Sequence, residues 1–286
     1  MTNPRLEEIA RRQRNPELQQ ASVAKKGQFA SIYDYDSEEY IEILKSDLKA
    51  AEALFSGTGK ELRMHLYDGD IFIGDGRIWK LDMRDFEMIK FPDEILNLTG
   101  LEELYLGGRG FYTVPAGIGM LTQLKVLTLN HNMLTSLHES IQELKKLNVL
   151  WLGNNHFTVL PPAVCGLSGL QVLDLESNQL TALPESISEL KKIYYMSLYQ
   201  NQLTGLPETL GELNRLEELD LSFNKFTSVP SCISRLAGLR RLDLEGNPLE
   251  ELPEFLADLP KLETIEVTKG IVIPKSIEGK VRYIND

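Results

Sequence analysis

From Ile78 onward the apolar residues of this chain return on a 23-residue cycle. The unit that opens at Leu170, LQVLDLESNQLTALPESISELKK, shows the cycle in full. Apolar side chains stand at positions 1, 4, 6, 11, 14, 18 and 21, with asparagine at 9 and proline at 15. Units open at Ile78, Leu101, Leu124, Leu147, Leu170, Ile193, Leu216 and Leu239, eight in succession over residues 78–261 with no insertion or deletion. Leu262 opens a degenerate closing unit. A fixed period of this length marks a solenoid, because one unit cannot bury its own apolar face and must stack on the next.

The spacing assigns elements within each unit. Positions 4 and 6, such as Leu173 and Leu175, alternate with polar or variable neighbours at 3, 5 and 7, which predicts a strand with one buried face. The apolar positions at 11, 14, 18 and 21 bring a return path over the same core. Proline at position 15 (Pro92, Pro115, Pro161, Pro184, Pro207, Pro230 and Pro253) suits the first turn of a short helical segment, where its missing N–H costs nothing. The unit from Leu124 departs, with His138 in that slot.

Asn132, Asn155, Asn178, Asn201, Asn224 and Asn247 hold position 9, where the chain turns inward out of the strand. An amide offers two donors and an acceptor, enough to bond backbone groups in its own and the adjacent coil and form a ladder along the stack. Phe86 and Arg109 replace it in the first two units and Gly270 in the last, as terminal repeats allow.

The pattern LxxLxLxxNxLxxLPxxIxxLxx resembles the 23-residue leucine-rich repeats of intracellular proteins of the Ras-suppressor and Scribble kind and of plant intracellular Ras-group-related proteins. It differs from the 20-residue repeats of secreted bacterial effectors with ubiquitin-ligase tails. The resemblance implies an α/β fold, a right-handed horseshoe with a parallel concave sheet and short helical or 3-10 convex segments. It also implies protein binding, without naming a partner.

Residues 1–77 read as an N-terminal cap and residues 262–286 as a degenerate repeat with a C-terminal cap. Asp36-Ser37-Glu38-Glu39 resembles a helix N-cap box, and Ile41, Leu44, Leu48, Ala51 and Phe55 have helical spacing, stopped at Gly57-Thr58-Gly59. Leu62–Tyr67 and Ile71–Ile73 flank Asp68-Gly69-Asp70 and predict a hairpin. Asp68, Asp70 and Asp75 lack the spacing and closing glutamate of an EF-hand, so turn chemistry is their reading. Ile265, Val267, Val272, Ile277, Val281 and Ile284 suggest a shortened coil that shields the last repeat.

The chain has 286 residues and a formal net charge of −12, which disfavours nucleic acid or anionic membrane as partners and favours basic protein segments. No run approaches the roughly 18 apolar residues of a membrane helix. The first twenty residues lack a signal-peptide core, and Arg11, Arg12 and Arg14 there are interrupted by Glu7, Glu8 and Glu17. Cys165 and Cys232 lie three repeats apart, roughly 14 Å at one strand spacing per repeat, beyond the ~7 Å limit for a disulfide. Extracellular relatives of such repeats usually close their caps with disulfides, so a reducing compartment, the cytoplasm, is expected. Asn97-Leu98-Thr99 matches a glycosylation triplet of a kind common by chance.

Positions 3, 5, 7 and 8 point to the concave side, where a solenoid carries its variable chemistry. In the middle repeats Tyr105, Val126, Val149, Trp151, Val172, Tyr195 and Tyr199 compose an apolar–aromatic patch, with Phe223 further along at position 8. Asp174, Glu176, Asp220, Asp243, Glu245 and Glu266 form an acidic stretch beside it. Exposed aromatics anchor interfaces, and carboxylates around them steer a basic or aromatic partner segment. Strand residues of these types also arise from strand preference and solubility alone. His131 and His156, in neighbouring coils with Asp174 one coil on, are the weak alternative of a metal or acid–base site. No nucleophile–base spacing, phosphate loop or paired-cysteine motif accompanies them, so neither enzyme nor cofactor is expected. A second alternative is a self-associating scaffold that uses the convex face or the N-terminal region.

Overall fold

The structure, a computed structural model, describes residues 29–34, 39–56, 70–84, 86, 90–108 and 110–283. Strands β1 (Phe29–Asp34) and β2 (Glu39–Leu44) pair antiparallel, and helix α1 (Lys45–Phe55) follows without a break. The spacing of Ile41 and Leu44 had predicted helix there; both residues belong to β2, and the helix starts only at Lys45. Alternating β-branched and aromatic residues in YIEIL suit a pleated strand, and β2 is held to the first repeat by the Leu44 N–H bond to the Gly76 carbonyl, 2.7 Å. Residues 36–38 of the proposed cap box lie outside the described residues.

The predicted hairpin also resolves differently. Strand β3 (Ile71–Gly74) pairs antiparallel with the strand after it, β4 (Arg77–Asp82), through Asp75-Gly76. Both turn residues have positive φ, 49° and 72°, the signature of an Asp-Gly hairpin turn. Leu62–Tyr67, assigned to the partner strand by sequence, lies outside the described residues.

One sheet of eleven strands then runs from β3 to β13 in chain order. Its repeat strands are β5 (Glu103–Tyr105), β6 (Val126–Thr128), β7 (Val149–Trp151), β8 (Val172–Asp174), β9 (Tyr195–Ser197), β10 (Glu218–Asp220), β11 (Arg241–Asp243) and β12 (Thr264–Val267). All pair in parallel from β4 onward, and equal positions of successive units stand opposite one another. The last strand, β13 (Val281–Tyr283), adds in parallel to β12. The return paths carry 3-10 segments such as Glu185–Glu189 and Glu208–Glu212, and one short α-helical turn, Pro162–Cys165. The fold is therefore an α/β solenoid built on one open, mostly parallel sheet, as the resemblance implied.

The position-15 prolines sit one residue earlier than expected, as the extended cap residue before each helical segment rather than inside its first turn. Their fixed φ suits that site, and their carbonyls accept from the helical N–H three residues on, as Pro184 does from Ile187 at 3.0 Å. Where proline is absent, His138 caps with its side chain, Nδ1 accepting from the Ser140 N–H at 3.1 Å.

The core is the stack of position-1, 4, 6, 11, 18 and 21 side chains, almost all with no exposed surface. The asparagine ladder runs along it. Asn201 is typical: its Oδ1 accepts from the Leu180 N–H of the preceding coil at 3.0 Å, and its Nδ2 donates to the Leu175 and Leu198 carbonyls at 2.9 and 3.1 Å. The residue before each asparagine turns the amide inward by adopting a left-handed backbone. His131, Asn154, Ser177, Gln200 and Phe223 all have φ between 51° and 56°, and glycine serves at 108 and 246.

At the N-terminal end, where the first two units lack the asparagine, other contacts take over. Phe86 at position 9 packs instead on Phe55 of α1, ring centroids 5.2 Å apart. The same helix plants Asp47, fully buried, against β4: Oδ2 accepts from Arg77 Nε at 2.9 Å and from the Ile78 N–H at 3.0 Å. At the far end Ile265, Val267 and Ile277 shield the last repeat. Val272, assigned to that shield from sequence, is 65% exposed, because its segment pairs through its backbone with Glu251 instead of inserting its side chain.

Two outcomes follow for stability. Asn201→Ala orphans the Leu180 N–H and strips one donor from each of two carbonyls, which costs about 2–4 kcal/mol in urea denaturation. The exposed neighbour Gln202→Ala stays within about 0.5 kcal/mol of wild type. Asp47→Ala leaves the Ile78 N–H and Arg77 without their buried acceptor. It costs about 2–3 kcal/mol, less than a fully buried pair because Arg77 reaches water, and amide exchange quickens first at β4.

Candidate functional site

The parallel register places all position-5 side chains in one row across the concave face: Asp82, Tyr105, Thr128, Trp151, Asp174, Ser197, Asp220, Asp243 and Glu266. The position-3 row beside it runs Lys80, Glu103, Val126, Val149, Val172, Tyr195, Glu218, Arg241 and Thr264. Strand spacing sets neighbours in each row about 4.8 Å apart.

The central patch is not the exposed surface that sequence suggested. Val126, Val149, Trp151, Val172 and Tyr195 form a second apolar cluster on the far side of the sheet from the main core, with Tyr105 and Tyr194 packed against it. Trp151 is 4% exposed and Val149 and Val172 not at all. On the inner side of a curved sheet, side chains of successive coils converge, so large residues there close on one another. Tyr105 stands apart at the edge, its hydroxyl donating to Glu103 at 2.8 Å and its ring flanked by Lys80 and Arg84.

Accessible aromatic surface lies at the rim instead. Tyr199 and Phe223, at the strand exits of successive coils, meet edge to face with centroids 5.4 Å apart, and Phe223 is 45% exposed. The left-handed backbone at Phe223 turns its side chain outward while Asn224 turns in.

The acidic side chains lie along the sheet in successive coils, and burial raises several of their pKa values. Burial pushes the Asp174 carboxyl up to about 8, helped by the charges of Glu176 and Asp220 and opposed by the Glu176 N–H that it accepts at 2.9 Å. Burial also carries Asp243 to about 8, aided by a hydrogen bond with Glu266 and by the Asp220 charge. Glu176 is raised by burial and Asp220, against a hydrogen bond from Asn154. Asp220 is raised by burial, against bonds from the Ser222 hydroxyl and N–H and the pull of Arg241. Arg241 is paired with Glu266 and lies 4.0 Å from Asp243. Glu245 flanks the row, its N–H donating to Asp243 at 3.1 Å. Carboxylates thus outnumber cations along this stretch, and retained protons relieve part of the repulsion near neutral pH.

Two polar atoms at the junction of patch and acids have no hydrogen-bond partner among the described residues: Thr128 Oγ1 and Trp151 Nε1. Both residues are at least 96% buried, adjacent in the position-5 row and next to Asp174. Sequence reading passed over Thr128 and Arg241; the position-5 and position-3 columns contain them, but nothing in a threonine announces an unmet hydroxyl. Chemically, the row offers an indole N–H to an acceptor, a hydroxyl to either kind of group, and carboxylates to cations.

His131 occupies a left-handed strand exit, and His156 Nδ1 meets Gln179 Nε2 at 3.3 Å. Among the described residues, no group of three or more His, Cys, Asp or Glu side chains is placed to hold a metal ion, and no helix is long and apolar enough to cross a membrane. Cys165 and Cys232 are buried free thiols.

Comparison with known proteins agrees with this geometry. A model described as a leucine-rich repeat region matches residues 135–225, and one described as leucine rich repeat matches residues 214–268. No curated protein matches the chain. A solved leucine-rich repeat protein of Leptospira interrogans is 38% identical with a TM-score of 0.67, over 70% of this chain and 52% of that one. The plant peptide hormone receptor RGFR1, in complex with RGF2, is 32% identical with a TM-score of 0.58, over 67% of this chain and 32% of that one. An internalin of Listeria monocytogenes, 20% identical with a TM-score of 0.63 over 72% of this chain and 60% of that one, shares the fold. This chain spans about half of the Leptospira protein and a third of the plant receptor. The unbroken 23-residue register, the asparagine ladder and these likenesses converge: the chain is a leucine-rich repeat protein.

Proposed function

We propose that this chain is a cytoplasmic protein-binding module, of the kind that serves signalling, which takes an extended basic segment of a partner along its concave face. Leucine-rich repeat folds are common protein-interaction modules, and the plant receptor similar to this chain is solved in complex with RGF2. The observation that carries the reading is the position-5 row. There, two buried polar atoms without partners adjoin carboxylates that outnumber their cations. A backbone carbonyl would satisfy Trp151 Nε1, and Lys or Arg side chains would satisfy Asp174, Asp220 and Asp243. Phe223, 45% exposed, with the half-buried Tyr199 edge to face against it, supplies the rim anchor. Two buried free thiols fit a reducing compartment. No nucleophile is paired with a base along this row, so binding rather than catalysis is the reading.

Trp151 is too buried to serve as an interface probe by truncation, since Trp151→Ala would open a cavity costing about 3–5 kcal/mol. Tyr199→Ala with Phe223→Ala is the cleaner test. Titrated with peptides carrying Arg or Lys at alternate positions, this variant loses tenfold or more in affinity while its thermal midpoint moves little. Trp151→Phe, which keeps an aromatic ring but removes the N–H donor and part of the ring volume, loses about threefold to tenfold. Unchanged affinity in both variants overturns the concave-face reading.

The pH dependence has a defined sign. In the free protein Asp174 and Asp243 hold protons below about 8, whereas a bound cation favours their ionised forms. Binding therefore releases protons at pH 7, and affinity climbs from pH 6 to about 8 and then levels. Asp174→Asn with Asp243→Asn flattens the profile, measured by calorimetry in buffers of different ionisation enthalpy.

A further inference from the structure

The hydrogen bonding between coils continues past the three-residue strands. The Ser177 N–H donates to the Tyr199 carbonyl at 2.8 Å, the Gln200 N–H to Ser222 at 2.9 Å and the Phe223 N–H to Glu245 at 2.7 Å. Position 7 therefore keeps the register of the sheet, and Glu176, Tyr199, Ser222 and Glu245 stand in four successive coils. The two half-buried carboxylates end this row, three strand spacings or roughly 14 Å apart, with the Tyr199–Phe223 ring pair between them. Two glycines shape it. A Cβ on Gly153 would lie 2.6 Å from Glu176 Cγ, so its absence lets Glu176 lean over the Trp151 coil, where Asn154 Nδ2 donates to Oε1 at 3.1 Å. A Cβ on Gly246 would lie 2.7 Å from the Phe223 ring, which rests over that glycine toward the Glu245 coil. We propose that this row selects an extended partner segment of the form basic–x–apolar–x–basic, with its cations on Glu176 and Glu245 and its central apolar side chain on Tyr199 and Phe223.

The spacing follows from two periods. An extended chain rises about 3.4 Å per residue and returns side chains to the same face at every second position. Residues i and i+4 are then about 13.5 Å apart on one face, a match to the three coil spacings. Residue i+2 falls about 7 Å along, between the coils of Tyr199 and Phe223, whose rings bury an apolar side chain at low entropy cost. Residues i and i+3 point to opposite faces, and i and i+2 reach only half the span. On a helix, i and i+4 lie about 6 Å apart along the axis, little more than one coil, so a helical segment does not bridge the pair. Asp220 lies below the centre of the row and strengthens its negative potential, while the nearby Arg241 is committed to Glu266. Within two residues beyond the first cation the segment crosses the Trp151 coil. There Nε1 is buried on the same side of the sheet without a partner among the described residues, and a backbone carbonyl is the acceptor it lacks. The inference rests on the concave-face reading above and adds the residue pattern of the partner to it.

Three synthetic peptides of identical composition, two lysines and one leucine in a Ser–Thr background, test it by fluorescence anisotropy against the full chain. The first has the lysines four apart with leucine midway, the second has them three apart, and the third keeps four but moves leucine outside the pair. The first binds at least about threefold more tightly than either of the others. Glu176→Gln with Glu245→Gln removes its advantage over the second, and Phe223→Ala removes its advantage over the third. If the double variant does not fold, judged by circular dichroism, Glu245→Gln alone takes its place with the same expected loss. Equal affinity for the three peptides, no binding of any, or preferences indifferent to these variants overturns the proposal. The two readings fail separately. Equal affinities that Tyr199→Ala with Phe223→Ala still lowers remove only the residue pattern, and equal affinities indifferent to that variant and to Trp151→Phe remove the concave-face reading with it.

Discussion

Everything in this protein hangs on one hydrogen-bonding device, the asparagine that closes each coil onto the one before it. The strands are only three residues long, so their ladders leave most of each coil's backbone turning through apolar surroundings. A buried peptide group without a partner costs about 1–3 kcal/mol, a penalty that would recur in every coil. The amide at position 9 removes it by accepting from one N–H of the preceding coil and donating to a carbonyl in each of two coils. This bond pattern needs the backbone of the preceding coil at a fixed register, so a constant coil length suits every unit that carries the asparagine.

That constraint propagates to the surface. With the register locked at 23, position 5 of every coil falls in one row, and chemistry spread over some 140 residues becomes a contiguous strip. A left-handed residue stands just before each asparagine, and Phe223 owes its rim placement to that turn. Core, rim and acidic row are three consequences of one repeated bond. At the ends, where no further coil can offer a carbonyl or an N–H, the device is replaced by aromatic packing of Phe86 on Phe55 and by the buried Asp47 on β4.

The acidic row shows how burial changes the meaning of a charge. On an exposed strand face, Asp174 and Asp243 would be ordinary solubilising carboxylates. Stacked at one strand spacing beside Asp220 and Glu266 and shielded from water, they retain protons near neutral pH and become groups whose charge depends on what lies against them.

The repeat, the ladder and the register of the position-3 and position-5 residues were legible in the sequence because each is a periodic property, and a period fixes neighbours before any coordinate is known. Non-periodic segments were not legible in the same way. Ile41 and Leu44 carry helical spacing yet join a strand, since pairing with β1 and the first repeat outweighs a weak local preference, and Ile71–Gly74 pairs with β4 through the Asp75-Gly76 turn. Exposure was the other blind spot: sequence placed Trp151 and Tyr195 on the concave face but could not say that curvature closes them on Val149 and Val172. Sequence by itself determined which residues share a face, because register follows from period. Only the tertiary structure decided which of them are buried, unpartnered or protonated, because those properties depend on how tightly neighbouring coils crowd together, and crowding is set by curvature rather than by order along the chain.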